Sequence, residues 1–128
     1  TSAWYNKTMA FPGELNINYY KGDTYEFNVY PKKADGTVFN LSNYNNSYFW
    51  INTARDAGNT GKIECLATIS DNGEYVKCVI TPAQGENLTS GTTYVYDVQV
   101  KKTGGDYPLV YTLLTGNVTV TGQVVKES

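Results

Sequence analysis

The sequence predicts an all-β protein, a sandwich of about seven to nine antiparallel strands. Three observations predict it. Apolar residues recur with a period of two in one short segment after another. Those segments are separated by Gly, Asp-Gly, Asn-Gly and Pro turn signals. No stretch holds the 3.6-residue spacing of an amphipathic helix. The clearest strand is residues 94–101, where Tyr94, Tyr96, Val98 and Val100 alternate with Val95, Asp97, Gln99 and Lys101. A chain of 128 residues supports one such domain. It buries roughly two-thirds of its unfolded surface, so the core needs neither metal nor disulfide.

The opening of the chain has no clear periodicity, but Trp4, Tyr5, Met9 and Phe11 make it too apolar for a solvated tail. We therefore divide the chain into an N-terminal arm, residues 1–14, and a sandwich domain, residues 15–128. Leu15-Asn16-Ile17-Asn18-Tyr19 alternates, and Lys21-Gly22-Asp23 turns the chain. Tyr25, Phe27 and Val29 form the inward face of the next strand, which Pro31 ends. Residues 32–36 read as a loop with an Asp-Gly turn, and Val38, Phe39 and Leu41 as a short strand. Residues 47–52 place Phe49 and Ile51 on one side and Tyr48 and Trp50 on the other, the pattern of a central strand covered on both faces. A polar loop, 55–61, leads to a hairpin of residues 62–70 and 74–81 around Asp71-Asn72-Gly73. Residues 82–91 read as a connection without a helix. The strand at 94–101 and a last strand ending in Val118 and Val120 follow, separated by the turn signal Gly104-Gly105-Asp106.

Two segments carry a resemblance. Gly91-Thr92-Thr93-Tyr94-Val95-Tyr96-Asp97-Val98 and Leu113-Leu114-Thr115-Gly116-Asn117-Val118-Thr119-Val120 resemble the closing strands of a module of tailed-phage virion proteins, the immunoglobulin-like domain that opens siphophage baseplate upper proteins. Tyr20-Lys21-Gly22-Asp23-Thr24-Tyr25-Glu26-Phe27 is similar to the module's opening turn and strand, and Asp35-Gly36-Thr37-Val38-Phe39-Asn40-Leu41-Ser42 to its next step. The match spans about residues 16–120. It implies an immunoglobulin-like topology and a structural place in a phage particle, with other virion proteins (major capsid, tail or baseplate) as partners. In baseplate upper proteins the module precedes long helical or fibre-forming sequence, and this sequence holds none after residue 120. The expectation is therefore a small accessory protein decorating the capsid or tail, with a baseplate module as the alternative. Localisation in the virion, after assembly in the bacterial cytoplasm, follows from the same resemblance.

Composition narrows the chemistry. The net charge is −2 with acids and bases dispersed, unlike the basic footprint of a nucleic-acid binder or a polybasic membrane patch. No apolar run approaches the ~20 residues of a membrane-spanning helix. The opening Thr1-Ser2 reads as a start from which an initiator Met was removed, and no apolar leader follows. Histidine is absent, which removes the usual general base and the commonest transition-metal ligand. Glycoside hydrolysis needs two carboxylates flanking one bond, but Asp23, Glu26, Asp56, Glu64, Glu74 and Asp97 fall on scattered turns and strand exteriors. No phosphate loop, calcium loop or nucleophile elbow occurs. The expectation is a protein without enzymatic activity or cofactor.

Cys65 and Cys78 share the inward phase of the hairpin with Ile63, Ala67, Ile69, Val76 and Ile80. They read as two small thiols in a core, with a disulfide as the alternative; zinc would need more ligands. Asp97 points away from the buried tyrosines and is expected to bond nearby backbone or a lysine rather than to act in chemistry. The Asn-x-Ser/Thr triplets at Asn6, Asn40, Asn45, Asn87 and Asn117 read as chance. Twelve Tyr plus Trp4 and Trp50 exceed what a small core needs. Some should therefore anchor a protein interface, where such residues concentrate. A purely core role and stacking on a host surface glycan are the other readings. The candidate interface residues are Trp4, Tyr5, Met9 and Phe11, an aromatic arm outside the alternating pattern and able to pack on a neighbouring virion protein or a second copy.

Overall fold

A computed structural model describes residues 2–7 (backbone alone), 13–33, 35–57 and 60–124. Its elements are β1 (Ser2–Lys7), β2 (Gly13–Glu14), β3 (Ile17–Tyr20), β4 (Tyr25–Pro31), β5 (Asn46–Asn52), β6 (Ile63–Ile69), β7 (Val76–Ile80), the single helical turn α1 (Pro82–Gly85), β8 (Thr93–Lys102) and β9 (Leu109–Thr121). The protein is all-β, as the alternation predicts.

Two layers form around β6, which changes partner halfway along. Its first residues pair with β5 (Phe49 opposite Cys65) and its last with β7 (Ala67 opposite Cys78). The chain of neighbours runs β1-β4-β7-β6-β5-β8-β9-β2, with β3 also on β9. Pairs from β4 to β9 are antiparallel, whereas β1–β4, β2–β9 and β3–β9 are parallel. The expectation of a wholly antiparallel sandwich is corrected at its two open ends.

The core lies between the layers. Phe27 of β4 meets Phe49 of β5 at 5.3 Å and Tyr96 of β8 at 6.4 Å, and Phe49 meets Tyr96 at 5.5 Å, all edge to face. Each such pair adds about 1 kcal/mol beyond its burial. Tyr19, Tyr94 and Tyr96 are buried, and a buried phenol needs a hydrogen-bond partner. The Tyr19 hydroxyl donates to the Asp23 carbonyl at 2.6 Å, and that of Tyr96 to the Leu15 carbonyl at 2.6 Å. The Tyr94 hydroxyl accepts the Thr89 N–H at 2.9 Å. Tyr25, Tyr44 and Tyr111 pack against the same cluster. The core therefore takes more of the tyrosines than composition suggests. Tyr20 and Tyr107, 54% and 70% exposed, are the exposed ones among the described side chains.

Both cysteines are free and buried, so the thiol reading holds and the disulfide does not. Burial pushes the Cys65 thiol up to about 12 and raises Cys78 further. Neither forms a nucleophilic thiolate near neutrality.

Two expected details differ. Residues 38–41 form no strand: Val38 makes one bridge to Lys32, and the Asn40 side chain accepts the Ser42 N–H at 2.8 Å. A local side-chain bond of that kind ends an extended run. Leu41 is nevertheless fully buried and donates its N–H to the Gly73 carbonyl. The connection at 82–91 begins with α1, capped by reciprocal bonds between Thr81 and Gln84 at 3.0 and 3.3 Å with Pro82 in its first turn. This is the Thr-x-x-Gln capping box with proline at the helix start.

Candidate functional site

Alternation along β5, β8 and β9 sends half of their side chains away from the core, and those residues line a groove of about 510 Å³ on the outer face. Register sets its rows. Trp50 lies opposite Asp97, and Asp97 opposite Thr115; Tyr48 lies opposite Gln99, and Gln99 opposite Thr112. The second row depends on a break in β9, where Val98 faces Leu114 but Gln99 faces Thr112. Leu113 is the extra residue. It is buried beside buried Leu114, so the bulge reverses the phase and turns Thr112 and Val110 outward.

Arg55 and Lys62 close the groove from the loop between β5 and β6. The Arg55 guanidinium donates to the Asp97 carboxylate at 2.6 Å, to the Tyr96 carbonyl at 3.2 Å and to the Thr115 hydroxyl. This corrects the expected partner of Asp97, which is an arginine 42 residues away rather than a lysine or local backbone. Lys62 sets its ammonium 3.8 Å from the Trp50 ring centroid, a cation–π contact, and reaches Glu64 at 3.1 Å. Tyr48 and Trp50 meet edge to face at 5.8 Å, and the Gln99 amide donates to Thr112 at 3.2 Å. The result is two half-buried rings among cations and planar polar groups. That arrangement can bind, and it holds no acid–base pair on a nucleophile. Among the described residues, no cluster of three or more carboxylates or thiols could hold a metal.

Trp4 and Tyr5, named by the sequence as interface residues, stand on β1, of which only the backbone is described; Met9 and Phe11 lie outside the described residues. The backbone of β1 pairs in register with β4, from Ser2 opposite Glu26 to Lys7 opposite Pro31. The arm thus adds a strand to one end of the sheet path. Sequence reasoning missed the groove because its walls come from Arg55 and Lys62, in a loop with no periodicity. The outward phase of Tyr48 and Trp50 was its one readable sign.

No protein family matches this sequence, and no curated protein matches it. Among solved structures, the fold is similar to the N-terminal domain of phage TP901-1 ORF48. The TM-score is 0.59 at 10% identity, over 94% of this chain and 98% of that one. AggA, the major subunit of aggregative adherence fimbriae type I from Escherichia coli, overlaps more loosely, with a TM-score of 0.33 at 12% identity over 91% of this chain and 99% of that one. This chain shares its all-β fold, over nearly its whole length, with a domain of a phage protein.

Proposed function

We propose that the protein is a non-enzymatic structural module of a tailed-phage particle that docks on other virion proteins. The observation that carries the reading is the end-to-end fold likeness to the ORF48 domain. The sequence resemblance points the same way, and its two closing segments lie on the adjacent strands β8 and β9.

Sheet order supports an immunoglobulin-like topology. One layer runs β1-β4-β7-β6 and the other β5-β8-β9, the A-B-E-D and C-F-G orders of a constant-type immunoglobulin domain. Docking would use the aromatic arm and the sheet end it occupies. Fold alone does not give the address: decoration of the capsid or tail surface is the finer reading, and a baseplate position its rival. Quantitative mass spectrometry of purified particles tests both. Many copies per particle support decoration, a few support the tail tip, and absence from particles overturns the proposal.

A further inference from the structure

The outer groove carries more chemistry than the exterior of a structural sheet requires. Three of the chain's ten cations line it, Arg55, Lys62 and Lys101, with one of its twelve acids, Asp97. Even with Glu64 at the rim beside Lys62, the face is positive in a protein of net charge −2. Lys101 makes no ion pair among the described residues. Below the cations lie Tyr48, Trp50 and the Gln99 amide.

The backbone beneath Trp50, Asp97 and Gln99 is bonded on both sides. β5 is bonded to β6 and β8, β8 to β5 and β9, and β9 to β8 and β3. Among the described pairings Leu109–Leu113 of β9 bond only to β8, which leaves an edge at the rim beside Val110, whereas over Trp50, Asp97 and Gln99 recognition has to run through side chains.

The geometry points to a binding site for an acidic saccharide chain. A pyranose ring has an apolar C–H face that packs on an aromatic ring, here Tyr48, with the Trp50 ring standing edge to face beside it and carrying Lys62 over its own face. Its hydroxyl rim suits planar groups that donate and accept together, as Gln99 does. Carboxylate or phosphate groups on the chain would meet Lys101, while Arg55 and Lys62 stay with Asp97 and Glu64. The volume, about 510 Å³, falls in the range of pockets that hold small ligands. This site is separate from the docking role, which rests on the arm and sheet end.

Trp50 reports its own occupancy. Trp4→Phe leaves it as the sole tryptophan, because the chain has two. That variant is titrated with oligogalacturonate, a phosphate-bearing polysaccharide, neutral dextran oligomers and polyglutamate, following Trp50 emission. Saturable change with either acidic saccharide is expected, and which of the two binds names the acid. Lys101→Glu and Gln99→Ala, made separately and checked for an unchanged melting temperature, should each weaken it at least 10-fold. Equal binding of polyglutamate overturns the saccharide assignment, and equal binding of dextran overturns the acidic one. No saturable change with any probe, or full affinity in both variants, overturns the site.

Discussion

Gly116 marks the place where the chain before β3 crosses the last strand. A Cβ there would lie inside contact distance of the Leu15 carbonyl and 3.1 Å from the Tyr96 ring. The Leu15 N–H donates to the Thr115 carbonyl at 3.0 Å, and its carbonyl accepts the Tyr96 hydroxyl. One glycine and one tyrosine, both in the segments that carry the phage resemblance, thus hold the entry of β3 against β9. Alanine at Gly116 must push backbone aside, and crowding of that kind costs about 3 kcal/mol. Urea denaturation of Gly116→Ala should show a loss of that order with an unchanged m-value. A loss under about 0.5 kcal/mol, the range of ordinary surface substitutions, would mean that the crossing is not tight. Gly85 meets the same constraint, since a Cβ there would strike the Tyr19 hydroxyl.

Elements with a strict period of two were legible. β4, β5, β6, β7 and β8 lie within a residue or two of where alternation put them, because one face of each is buried and one is not. β5 is central, as its two apolar phases implied, with Phe49 and Ile51 fully buried and Tyr48 and Trp50 half-buried. What was not legible depends on contacts distant in sequence or on short-range polar bonds. Residues 38–41 look like a strand, but Asn40 closes a turn on Ser42. Thr81-Pro82-Ala83-Gln84 carried a readable capping signal, yet four residues are too few for periodicity to reveal a helix. The Leu113 bulge breaks the phase of β9, and only pairing with β8 shows where. β1 has no alternating pattern, yet its backbone extends the sheet. The groove suffered most, because Arg55 reaches Asp97 and Thr115 across 42 and 60 residues.

At the scale of the molecule, charge and titration define a stable window. With no histidine, no side chain of ordinary pKa changes charge between about pH 5 and 8, so stability should be flat there. Above it, three buried acids act together. Burial raises Cys65 from 9.0 to about 12 and Cys78 further from the same value, and burial with the nearby Asp23 carboxylate raises Tyr19 from 10.0 to about 12. Each folded-state value lies above the unfolded one, so the stabilisation is complete below pH 9. It falls as pH rises towards 12, when the unfolded chain ionises and the folded core cannot. For Cys65 alone, three units correspond to about 4 kcal/mol at the top of that range. Urea midpoints should stay level from pH 6 to 8 and fall from pH 9 upwards; a level midpoint to pH 11 would contradict the buried neutral thiols and phenol.

The proposed docking role rests on the arm. Residues 1–11 carry Trp4, Tyr5, Met9 and Phe11, while the described residues of the interlayer core come from the stretch between Ile17 and Val120. The most direct measurement compares the full chain with one lacking residues 1–11 for recovery in purified phage particles, with circular dichroism confirming the fold of each. The full chain should be recovered at a fixed copy number and the shortened chain, though folded, should be absent. Equal recovery of the two, or recovery of neither, would contradict docking through the arm as the function of this sandwich.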